Sequence, residues 1–263
     1  METSVFTVSD LKFAYGSHAR VFDGLNLSIE EGVVTTFIGA NGSGKSTLFN
    51  LLTKNLKPDA GQVLLRGADI ADVRLRDFAK LVAIVHQHNS APPDLTVERL
   101  VSYGRTPFQR FGHAATEEDE EAVEWALELT ELADLAAQPV MSLSGGERQR
   151  AWIAMAIAQG SKVLLLDEPT THLDVKYQLD VLNLVNLLHS ELCMTVIMVL
   201  HDINQALHYS DRIVALRDGD VVAQGSPFDI VDPALIKRVY DVDLDVIERD
   251  GRPYVVTVPH PEF

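Results

Sequence analysis

The sequence predicts an α/β fold with a mostly parallel core sheet, an antiparallel β subdomain at the N terminus and an inserted α-helical subdomain. Three observations carry that expectation. Apolar, β-branched runs alternate with helical patterns over 33–52 and again over 162–209, the rhythm of parallel strands covered by helices. Short β-rich runs separated by turns open the chain ahead of residue 33. From Asn89 to about Gly160 helical patterns replace strands.

The elements follow in order. Strands are expected at 4–8, 11–15 and 25–29, with Asp23-Gly24 as the turn signal before the last. Val33-Val34-Thr35-Thr36-Phe37-Ile38 reads as a buried strand and 46–52 as the helix that follows it. Lys57 to Gly61 makes a turn, 62–66 a strand, the residues near 74–80 a short helix, and 81–86 a strand ending at Gln87. Thr96 opens one helix and Thr116 a longer one. The acids at 117–121 complement the N terminus of that second helix, with Thr116 as N-cap and Asp119 at the capping-box position, in preference to a cation site. A strand at 162–167, a helix from about 174 to 190, a strand at 194–200 and a helix at 203–209 restore the earlier rhythm. Asp218-Gly219 is a hairpin signal between 212–216 and 221–224, and two further strands flank Asp250-Gly251. The expected division is a single domain: a core of 1–88 and 161–242, a helical subdomain of 89–160, and a C-terminal β-hairpin of 243–258.

A chain of 263 residues can bury a substantial core, and 46% hydrophobic content excludes disorder of the whole. The 38 acidic residues outnumber the 22 basic ones, for a formal charge of −16, which argues against nucleic acid as a partner and against unaided binding to an anionic bilayer. No apolar run approaches the roughly 18 to 20 residues of a membrane-spanning helix. Met1-Glu2-Thr3-Ser4 lacks the basic and apolar regions of a secretory signal, so the chain is expected in the cytosol, with a protein anchor for any membrane role. Cys193, flanked by Leu192 and Met194, reads as a small buried hydrophobe with no internal disulfide partner.

Two glycine-rich segments carry the chemistry. Gly39-Ala40-Asn41-Gly42-Ser43-Gly44-Lys45-Ser46-Thr47 fits G-x-x-x-x-G-K-[ST] between a strand and a helix, the pattern of a P-loop NTPase. Gly39, Asn41, Gly42, Ser43, Gly44 and Thr47 are expected around the phosphates of ATP, cradled by backbone N–H groups at the positive end of a helix. Lys45 reaches the β- and γ-phosphates and the Ser46 hydroxyl holds Mg²⁺. The strand at 163–166 ends in Asp167-Glu168. Asp167 is expected to hold Mg²⁺, and Glu168 either to orient or deprotonate the attacking water or to cap the following turn. His201 ends the next apolar strand, as a structural histidine or as a contact to the γ-phosphate, and the Gln87 amide oxygen can face Mg²⁺ or the water. In the second segment, Ser144-x-x-Glu147 has capping-box form. Gly145 and Gly146 cost helix propensity there, as though bare backbone had to approach an anion.

The chain resembles an ATP-binding cassette (ABC) ATPase over nearly its whole length. Walker A matches 39–47, the signature matches Leu143-Ser144-Gly145-Gly146-Glu147-Arg148-Gln149-Arg150, Walker B matches 163–168, and the D-loop matches Thr171-His172-Leu173-Asp174. Gln87 falls at the Q-loop, His201 at the switch histidine, and Tyr15 at the A-loop aromatic that stacks on adenine, unless it merely fills a strand surface. The resemblance implies two chains packed head to tail, with ATP between Walker A of one and Ser144, Gly145 and Gly146 of the other, and Asp174 among the nucleotide-binding residues. It further implies integral membrane permease subunits, an extracellular or periplasmic substrate-binding protein, and a peripheral position on the cytoplasmic face of the membrane. Leu95 to Pro107, the segment from Glu168 to Asp174, and His201-Asp202-Ile203-Asn204-Gln205-Ala206 are similar to importer ATPases for ferric siderophores, haem and cobalamin, with ferric siderophore the first choice. An exporter subunit and a soluble non-transport ATPase are the rival classes. His86 and His88 are not demanded by the family pattern and read as incidental polarity.

Overall fold

The computed structural model describes residues 4–16, 20–109 and 114–258. The first three residues, part of the N-terminal reading above, lie outside that set. In chain order the elements are β1 (Ser4–Ala14), β2 (Arg20–Glu30), β3 (Val34–Ile38), α1 (Lys45–Leu52), β4 (Ala60–Leu65), β5 (Ala68–Asp69), α2 (Leu75–Leu81), β6 (Val82–Val85), α3 (Val97–Ser102), α4 (Glu117–Leu129), α5 (Gly145–Ala158), β7 (Val163–Asp167), α6 (Val175–Leu192), β8 (Thr195–Val199), α7 (Ile203–Tyr209), β9 (Arg212–Arg217), β10 (Asp220–Gly225), α8 (Pro227–Ile230), α9 (Pro233–Tyr240), β11 (Val246–Arg249) and β12 (Arg252–Val255). They fall into two compact units, 1–72 with 195–263, and 73–194.

In the first unit, β3 lies between β8 and β9 and pairs with both in parallel, while β10 adds antiparallel to β9. Every residue of β3 and β8 is buried, as expected for strands covered on both faces. A second sheet in this unit is antiparallel, in the order β2-β1-β4-β5. The hairpin signals at Asp218-Gly219 and Asp250-Gly251 are realised with positive φ at both residues of each turn, the backbone a type I′ turn requires.

Three expectations need correction. Residues 4–8 and 11–15 are not separate strands but one strand, β1, interrupted by a register shift in which Asp10 takes φ 47°. Asp23-Gly24 does not precede a strand. It lies inside β2, where Leu11 pairs with Leu25 and Lys12 with Asp23, so that Gly24 is the extra residue of a bulge. The Asn26 amide bridges both irregularities, accepting from Asp10 N–H at 3.0 Å and donating to the Gly24 carbonyl at 2.9 Å. A bulge consumes the same Asp and Gly residues that a turn does, so local composition does not separate the two. Finally, Cys193 is exposed, not buried. It occupies the left-handed C-cap of α6 (φ 51°), where the chain reverses towards β8 and turns the thiol outwards.

The second unit pairs β6 and β7 in parallel and carries the helical segment. Thr116 and Asp119 form the expected capping box at α4. The structure adds a role for Asp119 that the run of acids concealed. Its carboxylate accepts from Arg105 Nε at 2.8 Å, both side chains are almost wholly buried, and Arg105 Nη1 also donates to the Ala158 carbonyl at the end of α5. One guanidinium thus joins the start of α4 to the end of α5. Burial works to raise the Asp119 pKa, but Arg105 and the backbone and hydroxyl of Thr116 together hold it below the ordinary carboxylate value. A depressed folded-state pKa contributes stability above the unfolded Asp value, and that contribution is lost as pH falls through the folded value. Arg105→Ala, which strands a buried carboxylate, is expected to cost about 3–5 kcal/mol in urea unfolding at neutral pH. The deficit relative to the parent chain should shrink on acidification, once Asp119 is protonated in both.

Candidate active site

The candidate residues leave the carboxyl ends of parallel strands that pair within each unit. In the first unit β3 leads into the loop 39–44 and β8 leads to His201, and because these strands are parallel and adjacent both segments emerge at one edge. In the second unit β6 leads to Gln87 and β7 ends at Asp167, with the same consequence.

The loop is tightly built. A Cβ at Gly39 would lie 2.3 Å from the Leu216 carbonyl oxygen and 2.6 Å from Ser43 Oγ, so no other residue fits there. Lys45 is buried and its Nζ donates to the carbonyls of Gly39 and Ala40 at 2.7 and 3.0 Å, drawing the ammonium over the loop. Gly44 is the N-cap of α1 and supplies no side-chain acceptor to the first turn. The N–H groups at this end suit an anion. Ser43 Oγ is buried without a hydrogen-bond partner, the kind of orphaned group that a bound phosphate would satisfy. Asn41, Gly42 and Ser46 are exposed on the outer side of the loop. Tyr15 is half exposed, its ring edge-on to Phe13 at 4.9 Å and its hydroxyl 3.3 Å from Thr47 Oγ1, which brings the candidate adenine-stacking aromatic to α1.

Tyr240, at the end of α9, was not legible as a site neighbour. Its phenol is pushed up to about 12 by burial, against the effect of a hydrogen bond from the Gly39 backbone N–H and with a smaller rise from the Asp202 carboxylate. It stays a neutral phenol at every physiological pH. No local pattern marks it, because the contact depends on α9 folding back beside β9.

In the second unit Asp167 and Glu168 are both buried. Glu168 takes φ 50°, a left-handed conformation rare for a side-chain-bearing residue and costly except where the surroundings enforce it. Here the Gln87 amide nitrogen donates to Glu168 Oε2, and the Thr171 hydroxyl donates to the same oxygen at 3.2 Å. Glu168 therefore does hold the following turn through Thr171, while its other oxygen, Oε1, is not the one these donors use. Gln87 presents its nitrogen to the carboxylate, so its amide oxygen points elsewhere. Burial pushes the His86 imidazole pKa down, which favours its neutral form. His88 is exposed.

At the signature, Ser144 Oγ accepts from Glu147 N–H at 3.3 Å and Glu147 Oε2 accepts from Ser144 N–H at 2.9 Å, completing the capping box. The Ser144 hydroxyl and backbone N–H, with Arg150 adding, hold the Glu147 carboxyl below its usual range against the effect of burial. The two glycines differ. A Cβ at Gly146 would lie 2.2 Å from the Tyr177 ring and 2.8 Å from its Cβ, whereas one at Gly145 would meet only Leu173 Cδ2 at 3.4 Å. The absence of a side chain at Gly146 is therefore demanded by packing against α6, and approach of an anion is not needed to explain it. Asp174 is the exposed N-cap residue of α6 and Leu173 packs beside Gly145.

Residues 22–171, more than half of the chain, match the ABC transporter family. The chain belongs to that family. Its fold is the ATP-binding cassette, and its reaction is hydrolysis of ATP. The cassette is 42% identical to the iron(3+)-hydroxamate import ATP-binding protein FhuC of Bacillus subtilis over 95% of this chain and 94% of that protein. It is 43% identical to the ferric enterobactin transport ATP-binding protein FepC of Escherichia coli, over 94% and 91%. Among solved structures, an ABC transporter of metal-chelate type in an inward-facing conformation superposes with a TM-score of 0.83 at 27% identity, covering 97% of both chains. The dimeric cassette MJ0796 bound to ADP and Pi gives 0.72 at 30% identity, covering 84% of this chain and 98% of that one.

The packing at the signature separates two otherwise similar substitutions. Gly146→Ala should destabilise by about 1–3 kcal/mol through overpacking on Tyr177, while Gly145→Ala should leave stability unchanged or slightly raised, since Ala is the better helix former. Thermal unfolding of the two variants checks this.

Proposed function

We propose that this cassette is the energy-coupling subunit of a membrane importer whose cargo is an iron(III)-siderophore. The observation that carries the reading is identity of 42–43% to FhuC and FepC over more than nine-tenths of the chain, which includes the C-terminal region beyond the family match at 22–171. Its partners are integral permease subunits, an extracellular or periplasmic substrate-binding protein, and a second copy of the chain. No helix among the described residues is long and apolar enough to cross a membrane, so the permease supplies the attachment to the cytoplasmic face.

In this reading ATP is the bound nucleotide. Tyr15 stacks on the adenine, the loop from Gly39 to Thr47 holds the phosphates, and Ser144, Gly145 and Gly146 of a head-to-tail partner close the site, with Asp174 beside the joint. The groups assigned to Mg²⁺, the Ser46 hydroxyl, the Asp167 carboxylate and the Gln87 amide, are all oxygen donors, the hard set that this ion takes. Magnesium would neutralise charge on the phosphate oxygens. Glu168 orients or accepts a proton from the attacking water, with Gln87 and Thr171 setting the direction of its carboxylate, and His201 contacts the γ-phosphate. Nucleotide favours the closed dimer and its loss reopens it, which moves the attached permease. The segment 89–160 acts as the helical subdomain of the cassette, and 243–258 as a C-terminal hairpin.

Glu168→Gln is expected to retain ATP binding, accumulate as a nucleotide-bound dimer, and lose at least about 10²-fold in phosphate release, a typical share for a general base. Parent-level turnover would remove Glu168 from its role. The cargo is tested by ATP-driven uptake of ferric hydroxamates and ferric catecholates in cells carrying the chain with the permease that co-purifies from solubilised membranes. Failure to recover any membrane partner would overturn the importer reading.

A further inference from the structure

The C-terminal hairpin is attached to one helix in particular. Asn204, in the first turn of α7, makes a reciprocal pair of hydrogen bonds with the main chain of Val255 in β12: Nδ2 donates to the Val255 carbonyl at 3.0 Å and Oδ1 accepts from the Val255 N–H at 2.8 Å. A carboxamide in this position continues the ladder of β12 as a backbone amide would. Val255 itself is fully buried. At the other end of α7, Arg252 Nη1 donates to the His208 carbonyl at 2.8 Å, placing a cation on unpaired carbonyls at a helix C terminus.

The helix needs such support. It has seven residues, far below the roughly 12–15 at which an isolated helix becomes even marginally stable. Its far end has an additional anchor, because Ser210 Oγ lies 2.6 Å from Thr36 Oγ1 in β3. Its near end is fastened by the Asp202 N-cap, whose Oδ1 accepts from Gln205 N–H at 2.9 Å, and by the Asn204 bridge to the hairpin. His201 is the residue immediately before that N-cap. The C-terminal region also reaches the same corner through Tyr240, which carries the hydrogen bond from Gly39 described above.

We propose that the C-terminal hairpin sets the position of His201 for ATP hydrolysis through α7, which makes Asn204 and Arg252 positioning residues. The inference rests on His201 acting at the γ-phosphate. Asn204→Ala removes both bonds to Val255 and frees the start of α7. Arg252→Ala removes the second attachment without touching the first turn.

The experiment is a double-mutant cycle on the full chain, measuring kcat and KM for ATP hydrolysis and ATP affinity for the parent, His201→Ala, Asn204→Ala and the double variant. Asn204→Ala should lower kcat about tenfold at nearly unchanged KM and ATP affinity, because sub-ångström displacement of a reacting group costs rate and not binding. His201→Ala should lower it further, and adding Asn204→Ala to His201→Ala should change nothing more. Arg252→Ala should show a smaller loss of kcat with the same unchanged KM, and serves as an independent variant if Asn204→Ala folds poorly. Glu248→Ala, on the exposed side of the hairpin, should match the parent. An equal loss from Asn204→Ala in the parent and in the His201→Ala background would overturn the inference while leaving the role of His201 standing. An unchanged kcat in both Asn204→Ala and Arg252→Ala would also overturn it. Parent-level turnover in His201→Ala would remove both the role and the inference built on it.

Discussion

Parallel pairing of β3 with β8 and β9 is the constraint from which the nucleotide end of this cassette follows. Three adjacent parallel or buried strands have nowhere to place functional groups except at their ends, and the register aligns those ends on one edge. The sheet also dictates what the phosphate loop can contain. Leu216, in β9, brings its carbonyl oxygen so close to Gly39 that a methyl group could not be accommodated, and the same crowding buries Ser43. The result is a loop whose backbone is pressed against β9 at Gly39. Leaving a hydroxyl such as Ser43 buried and unpaired costs about 1–3 kcal/mol, a cost that a phosphate oxygen would offset.

The carboxylate end depends on a different device. Two parallel strands, β6 and β7, deliver Gln87 and Glu168 to neighbouring positions, and the backbone of Glu168 then turns left-handed. Side chains of Gln87 and Thr171 bond to the same carboxylate oxygen, so the left-handed turn and the direction of the carboxylate are aspects of one arrangement. Farther along the same unit, the buried Arg105–Asp119 pair fixes α4 to α5, the helix that Ser144 caps. The acidic surface of α4 conceals that pair, since Asp119 stands among Glu117, Glu118, Glu120 and Glu121 and differs from them only in facing inwards.

Most strand and helix positions were legible because their periodicity is strong: β3, β7 and β8 are continuous apolar runs, and α4 and α5 begin with capping boxes that the sequence spells out. The misreadings have a common cause. Asp10 interrupts β1 and Gly24 bulges β2, and Cys193 ends a helix in the left-handed conformation. In each case the residue type was interpreted from its neighbours, whereas the partner strand or the direction of the following chain decided the outcome. Gly146 is the converse case: its lack of a side chain was correctly noticed, but the reason lies in Tyr177, on another helix.

By itself the sequence determined the order of the motifs, the strand–loop–helix context of Lys45, the acidic strand end at Asp167 and Glu168, and the two capping boxes. Each of these depends on residues within a few positions of one another, where periodicity and side-chain chemistry act locally. Only the tertiary structure decided which Gln87 atom meets Glu168, why Gly39 and Gly146 admit no side chain, that Tyr240 reaches Gly39, and that Asn204 grips Val255. Those facts arise from contacts between elements distant along the chain, and close packing, which no local pattern encodes, selects them.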